Sequence, residues 1–342
     1  MKYVGIDLHK QTISACVIVK VRGKKKVLCR VRLACCDEAS IVAWLTGLGQ
    51  FEVVVEATAS YQWFVKLAEP LARRVLLAHP KKLRIIAESK RKSDRLDAQV
   101  LAEFLADDAI PLAWQPTPRV REHRTLVRFR HYTQRRITSV KNKLRHILAA
   151  YNADVRNLFT TAGREHLAAV KLSPADRFAA ELLRSELDQH RQRLAAANRE
   201  LKQFAAAAPL AEREARAVLA SIPNVGPVTC DVILAELGDW RRFASQKRVV
   251  SYGGLAPGFR ESAGKAQQLG ITKEGSRLLR WALIELAWRM VGKSRRWGRH
   301  DTRLAARVGA KKAIVAIARR LLGVIHSLLV NNQKYSLALE AA

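Results

Sequence analysis

The chain has 342 residues, with 61 Lys and Arg against 30 Asp and Glu, a formal net charge of +31. Solubility does not require so large a bias. It implies a polyanionic partner, nucleic acid before a membrane surface, because no lone basic amphipathic segment or lipidation signal stands out. Five cysteines without C-x-x-C spacing and nine scattered histidines without an H-x-x-x-H pair give neither a disulfide framework nor a zinc site, so reduced thiols in the cytoplasm are expected.

The N-terminus enters a strand at once, leaving no room for a signal peptide. "KYVGIDLH", "TISACVIVKV" and "KKVLCRVRL" read as three strands of an antiparallel meander, with the basic turn "RGKKK" between the last two. "EASIVAWLTGL" has helical spacing, "FEVVVEATAS" is a buried strand, "SYQWFVKLAEPLA" is helical and "RRVLLAHP" is a short strand. "SDRLDAQVLAEFLA" is a helix with Ser93 as its N-cap. Hairpin strands followed by alternating helices and strands is the order of an RNase H-like α/β domain, assigned to residues 1–112.

Four acidic residues stand out in that order. Asp7 ends the first strand, Glu56 ends the fourth, and Asp94 and Asp97 are three apart on one helical face. Each alone reads equally well as a turn, cap or helix-dipole residue. Together they converge in this topology, and a carboxylate cluster repels itself unless a cation is bound. Oxygen-only donors suit Mg²⁺ or Mn²⁺, ions that organise phosphoryl transfer on DNA.

"PLAWQPTP" is a Pro-rich linker. Arg119 to Leu148 then carries ten Lys or Arg and only Glu122 as an acid, which i,i+4 pairing does not explain. Phosphate binding by Arg128, Arg135, Arg136, Lys141 and Lys143 is the expectation. Leu187, Leu194 and Leu201 fall seven apart with Leu183, Ala197 and Phe204 between, a coiled coil formed within one chain or between two protomers. These features make residues 113–208 a helical coiled-coil spacer.

The region 209–342 is mainly helical. "LASIPNVGPVTCDVILAEL" resembles a helix–hairpin–helix, with Asn224 where that pattern prefers Gly. The Gly-rich stretch Gly253 to Gly275 reads as a flexible loop ahead of a basic helix, and places Lys265, Lys273 and Arg277 near nucleic acid. Composition does not choose a nucleophile among Ser251, Ser262 and Ser276. "VGKS" at Val291 to Ser294 lacks the first glycine of a phosphate loop, since Ala287 stands there. The apolar run Ile314 to Val330 is broken by Arg319, Arg320 and His326, so it reads as a buried amphipathic helix and not a membrane span.

Five segments, "GIDLHK", "VVVEATASY", "SDRLDAQVLAEF", "SIPNVGPVT" and "YGGLAPGFRESAGKAQQLGITKEGSRLLRWAL", occur in that order. They resemble the DEDD-type transposases of bacterial insertion sequences, the IS110 family with its IS1111 subgroup. The resemblance implies a RuvC-like domain, a coiled-coil spacer and a C-terminal transposase domain with a catalytic serine. By motif, the four acids fall on Asp7, Glu56, Asp94 and Asp97, and the serine falls on Ser262 in "FRES". One departure is that Ala263 stands between Ser262 and Gly264, where many members have Gly directly after the serine. The resemblance further implies site-specific recombination through a phosphoserine, Mg²⁺, donor and target DNA, a bridge RNA that pairs with both, and dimers that assemble to a tetramer. A RuvC-like nuclease that uses water is the alternative. An actin-like kinase would need Gly-rich phosphate loops that the basic second half lacks, and a noncatalytic RNA scaffold leaves the four acids unexplained.

Overall fold

In the computed structural model, which describes residues 1–58, 60–86, 94–262 and 265–336, β1 (Lys2–Leu8), β2 (Thr12–Val21) and β3 (Lys24–Ala34) form the antiparallel meander. Arg22 and Gly23 join β2 to β3 with positive φ of 48° and 78°, the two-residue turn whose twist matches that of the strands. After α1 (Glu38–Gly47), β4 (Phe51–Glu56) pairs parallel with β1; after α2 (Tyr61–Ala68), β5 (Arg74–Ala78) pairs parallel with β4. The strand order is β3-β2-β1-β4-β5. Short α3 (Pro80–Ile86) and then α4 (Asp94–Ala106) follow. Ser93, the expected cap of α4, lies outside the described residues.

Both faces of this sheet are covered. Val4, Ile6, Val53 and Val55 pack against Ile41 and Leu45 of α1 and Phe64 of α2. Cys16, Ile18 and Val54 point the other way, where they meet Ala98, Leu101, Ala102 and Leu105 of α4. Burial on both faces is why β4 reads as an unbroken apolar run. Gly5 is required by α4: a Cβ there would lie 2.0 Å from the Ala98 carbonyl oxygen and 2.5 Å from the Ala102 nitrogen. Only a bare backbone lets the helix lie so close on β1.

The chain divides into two compact units, Met1–Gln115 and Pro116–Ala342, with the break inside the Pro-rich linker. The second unit opens with α5 (Pro118–Ala150), α6 (Thr161–Ala169) and α7 (Pro174–Ala206). Thr117 and Ser173 cap the two long helices, each with Pro at the first turn. α5 and α7 pack on each other within one chain: Ile137, Val140, Leu144 and Leu148 meet Ala180 and Leu187, and Val127 meets Leu201 nearer the start of α5. The heptad signal left the partner open, and the structure supplies it from the same chain.

Next come α8 (Leu210–Ala220), α9 (Pro227–Leu237), α10 (Gln246–Tyr252), β6 (Pro257–Ser262), β7 (Lys265–Ile271), α11 (Arg277–Lys293), α12 (Arg295–Val308) and α13 (Ala310–Val330). Leu219, Ile233, Leu283, Leu286, Met290, Ile317, Leu321 and Ile325 are among the residues of their common core. Among the described residues α13 alone is long and apolar enough to cross a membrane. Ile314, Ile317, Leu321, Leu322, Ile325, Leu328 and Leu329 of this helix are buried in this core. "VGKS" spans a junction of two helices, with Ser294 capping α12 through a bond from the Trp297 nitrogen at 3.3 Å. All five cysteines are free, and burial pushes the Cys230 thiol up to about 12, which keeps it protonated and inert.

One expectation is corrected here. The stretch Gly253 to Gly275, read as a flexible loop, contains the antiparallel hairpin of β6 and β7. Its apolar residues Phe259 and Leu269 are 62% and 47% exposed, so neither marks the buried face whose alternating pattern announces a strand.

Candidate active site and nucleic-acid interface

β1 and β4 run parallel with Ile6 opposite Val55, so the next residues, Asp7 and Glu56, stand at matched positions at the same end of neighbouring central strands. Both are partly buried, and the Asp7 side chain is 15% exposed. His9 Nε2 lies 3.0 Å from Asp7 Oδ2. Asp94 is the first residue of α4, and Asp97, exposed, directly precedes the Ala98 carbonyl that lies over Gly5. The side chains of Asp94, Ser262 and Lys265 lie outside the described residues. Among the described residues no three His, Cys, Asp or Glu side chains are grouped closely enough to hold a metal ion. Two of the four expected ligands are therefore brought side by side, and their oxygen chemistry fits a hard divalent cation.

The hairpin stands on a clamp that sequence reading missed. Gly254 and Gly275 have φ of 68° and 80°; a Cβ at Gly254 would lie 1.7 Å from the Glu274 carbonyl oxygen, and one at Gly275 2.0 Å from that of Tyr252. Buried Arg280 donates from Nη1 to the Glu274 carbonyl at 2.8 Å, Gly275 at 3.2 Å and Gly253 at 3.3 Å. The Thr272 nitrogen bonds the Ala256 carbonyl at 2.9 Å, and the Lys273 nitrogen bonds that of Gly254 at 3.1 Å. The two roots of the hairpin are thus locked together. Ser262 pairs with Lys265 at its far end. Ser276 is accounted for differently: its Oγ accepts from the Leu279 nitrogen at 3.1 Å and caps α11. Ser251 lies exposed in α10.

Much of the basic run on α5 is used internally, which revises its reading as a phosphate surface. Arg128 makes a bidentate pair with Glu236, 2.9 Å on each arm, and the Glu236 side chain is only 1% exposed. Arg124 donates to the carbonyls of Ala235 at 2.8 Å and Glu236 at 3.0 Å. Arg119 pairs with Glu212 at 2.5 Å, and Arg216 bridges Glu212 at 2.9 Å and Asp231 at 2.7 Å. His123 Nε2 lies 3.0 Å from the same Asp231 carboxylate. Burial alone would raise the Glu212 carboxyl, but Arg119 and Arg216 hold it below its ordinary range. The acids come from α8 and α9, so no i,i+4 rule on α5 could find them.

The remaining expected contacts differ among themselves. Arg135 and Lys143 are exposed and make no ion pair or hydrogen bond among the described residues. Arg136 pairs with Glu186 at 3.2 Å, and Lys141 lies 4.7 Å from the Phe159 ring centre. Lys273 and Arg277 are exposed at the start of α11. Unforeseen are Trp281 and Trp288 on that helix, 41% and 49% exposed, seven residues apart and so on one face. Exposed aromatic rings beside arginine are what unpaired bases stack on. Asn224, between α8 and α9, has φ of 65°; Asn tolerates this conformation where the usual pattern places Gly. The double substitution Arg135→Gln/Lys143→Gln is expected to lower the salt slope of DNA binding by about 2, near 0.9 per lost phosphate contact. Arg128→Gln is expected instead to lower the melting temperature, because Glu236 is left buried and unpaired. Binding titrations at several salt concentrations and a thermal melt check both.

An α/β unit with acids at its central strand ends, followed by a basic helical unit, has the layout of a DNA transposase, and both halves match family models of that class. Residues 4–153 match the IS110 DEDD transposase model, and residues 216–303 match the transposase model of the IS116/IS110/IS902 family. The chain belongs to this family of insertion-sequence transposases, enzymes that cut and transfer DNA. It is similar to the transposase for insertion sequence element IS1111A of Coxiella burnetii, 26% identical over 98% of this chain and 91% of that one. It is also similar to the pilin gene-inverting protein of Moraxella bovis, 24% identical over 97% of each. A probable family 20 transposase of Pseudomonas aeruginosa is 25% identical over 82% of this chain and 81% of its own.

Proposed function

We propose that this transposase is a site-specific recombinase that works in the cytoplasm on donor and target DNA, guided by a bridge RNA and assembled from several copies. The observation that carries the catalytic part is the matched placement of Asp7 and Glu56 on neighbouring parallel strands. An RNase H-like reading of the first unit is supported by its strand order, an antiparallel meander extended by two parallel strands. Asp7, Glu56, Asp94 and Asp97 would hold Mg²⁺ or Mn²⁺, which supplies charge stabilisation for phosphoryl transfer. Ser262 supplies the nucleophile: its Oγ bonds to a DNA phosphorus and the bond to a sugar oxygen breaks. The serine proton ends on that leaving oxygen, and attack by a DNA hydroxyl on the phosphoserine reverses the step and joins strands. The net charge of +31 suits a protein that engages RNA and two duplexes together.

The test is Asp7→Asn and Glu56→Gln, each replacing a carboxylate by a near-isosteric amide at a strand end. Excision of a marked element from a plasmid should fall roughly 10²–10³-fold, the usual cost of losing one group that stabilises developing charge. Melting temperature should be unchanged. Recombination by Asp7→Asn at the wild-type rate, in buffer with only the supplied Mg²⁺, would overturn the assignment.

A further inference from the structure

A second feature of the helical unit is not used by this chemistry. A cavity of about 430 Å³ opens between α10, α12, α13 and the root of β6. Its charged lining is Lys247, Arg296, Arg319 and Arg320 together with His300, and no acidic residue lines it. Among the described residues none of these four cations forms an ion pair, in contrast to Arg119, Arg128 and Arg216 in the same unit. Four unneutralised cations around one concavity repel one another until an anion enters. Arg320 Nη1 lies 3.3 Å from His300 Nδ1. Burial and then the surrounding arginines, Arg320 first, hold that imidazole below its ordinary range, so its other nitrogen is a hydrogen-bond donor.

The rest of the lining is apolar, Val250, Ala256, Pro257, Trp297, Gly323 and Val324, apart from Gln246, whose Nε2 donates to the Ser327 hydroxyl at 2.7 Å. Trp297 is only 4% exposed, so it presents an edge and not an open face, and it is fixed by its own bond, Nε1 donating to the Tyr335 hydroxyl at 3.2 Å. The volume is that of a small-molecule site, with apolar walls and a few convergent polar groups. A lone phosphate would leave the apolar walls uncovered, and the phosphates of a paired duplex lie along its outside, where they do not enter a cavity. An unpaired nucleotide presents both parts at once, an anion and an apolar ring that has left its stack.

We propose that this cavity binds a single unpaired nucleotide, its phosphate among Arg296, Arg319 and Arg320 and its base against Trp297, Val250 and Val324. Because Ala256 and Pro257 border it, the occupant touches the root of the hairpin that carries Ser262. The inference rests on the reading that the helical unit engages nucleic acid.

The experiment uses the full chain and fluorescent DNA duplexes, one perfectly paired and one with a single extruded nucleotide, at one fixed salt concentration. Wild type is expected to prefer the extruded form about tenfold, the worth of one stacked base. Arg296→Gln/Arg319→Gln should remove the preference while still binding both duplexes, because general charge loss weakens the two alike. Free deoxyadenosine monophosphate is titrated as a second arm. If it erases the preference in wild type and has no effect on the double variant, the cavity also takes nucleotides from solution. Equal affinity for the two duplexes without any effect of the mononucleotide overturns the proposal, as does a preference that survives in the double variant. Failure to bind either duplex would instead overturn the nucleic-acid reading beneath it.

Discussion

Ser262→Ala binds DNA as tightly as wild type and neither cleaves nor joins strands: this is the expected result if the hairpin carries the nucleophile. A serine hydroxyl is a weak nucleophile until it is positioned, and the clamp of Arg280, Gly254 and Gly275 ties together the roots of the hairpin on which Ser262 lies. The substitution removes one oxygen at the end of β6. Ser262→Cys should keep traces of chemistry, since a thiolate is a competent nucleophile. Ser276→Ala separates role from neighbourhood. It deletes the cap of α11 and should cost about 1 kcal/mol of stability, with strand cleavage retained. Gel assays of cleavage and joining, run beside a binding titration, read all three variants.

Gly5→Val is expected to unfold the first unit. The new Cβ would lie 2.0 Å from the Ala98 carbonyl oxygen and 2.5 Å from the Ala102 nitrogen. Both are backbone atoms of α4, so no side chain can swing aside and the helix itself has to move. Overpacking of a core costs about 1–3 kcal/mol even where side chains can adjust, and here they cannot. The displacement would carry Asp94 and Asp97 away from β1 and expose the faces of Ala98 and Ala102. A thermal melt should show the loss of one transition, and recombination should vanish with it. A variant that melts like wild type would show that α4 does not need this close approach.

This glycine also shows how far the sequence could be read. Its place in "GIDLHK" was visible, but the helix that presses on it comes some 90 residues later, and no local pattern names that contact. The meander, the buried β4 and the strand-end acids were legible because their signals are local: period-two alternation, a basic turn, an apolar run ending on a carboxylate; the turn itself is shorter than "RGKKK", since β3 already begins at Lys24. The seven-residue spacing of α7 announced a packed face and not its partner. Arg128 looked like a phosphate contact because its acid, Glu236, lies 108 residues away within an apolar helix. The β6–β7 hairpin was illegible for the opposite reason, since its apolar Phe259 and Leu269 are exposed and mark no buried face. The clamp beneath it left one trace, the second glycine of "YGGL" and the glycine of "KEGS", whose positive φ makes sense only once the two segments are seen to touch.

In the proposed reaction, strand transfer passes through a covalent bond between DNA and Ser262. The most direct measurement is to incubate wild type and Mg²⁺ with a substrate nicked so that rejoining is blocked, then denature, digest with protease and map the DNA-linked peptide. A protease-sensitive DNA species is expected in wild type, absent from Ser262→Ala and from Asp7→Asn, with the linked peptide containing Ser262. Cleavage without any linked species, persisting in Ser262→Ala, would contradict it and establish hydrolysis by water at the carboxylates instead.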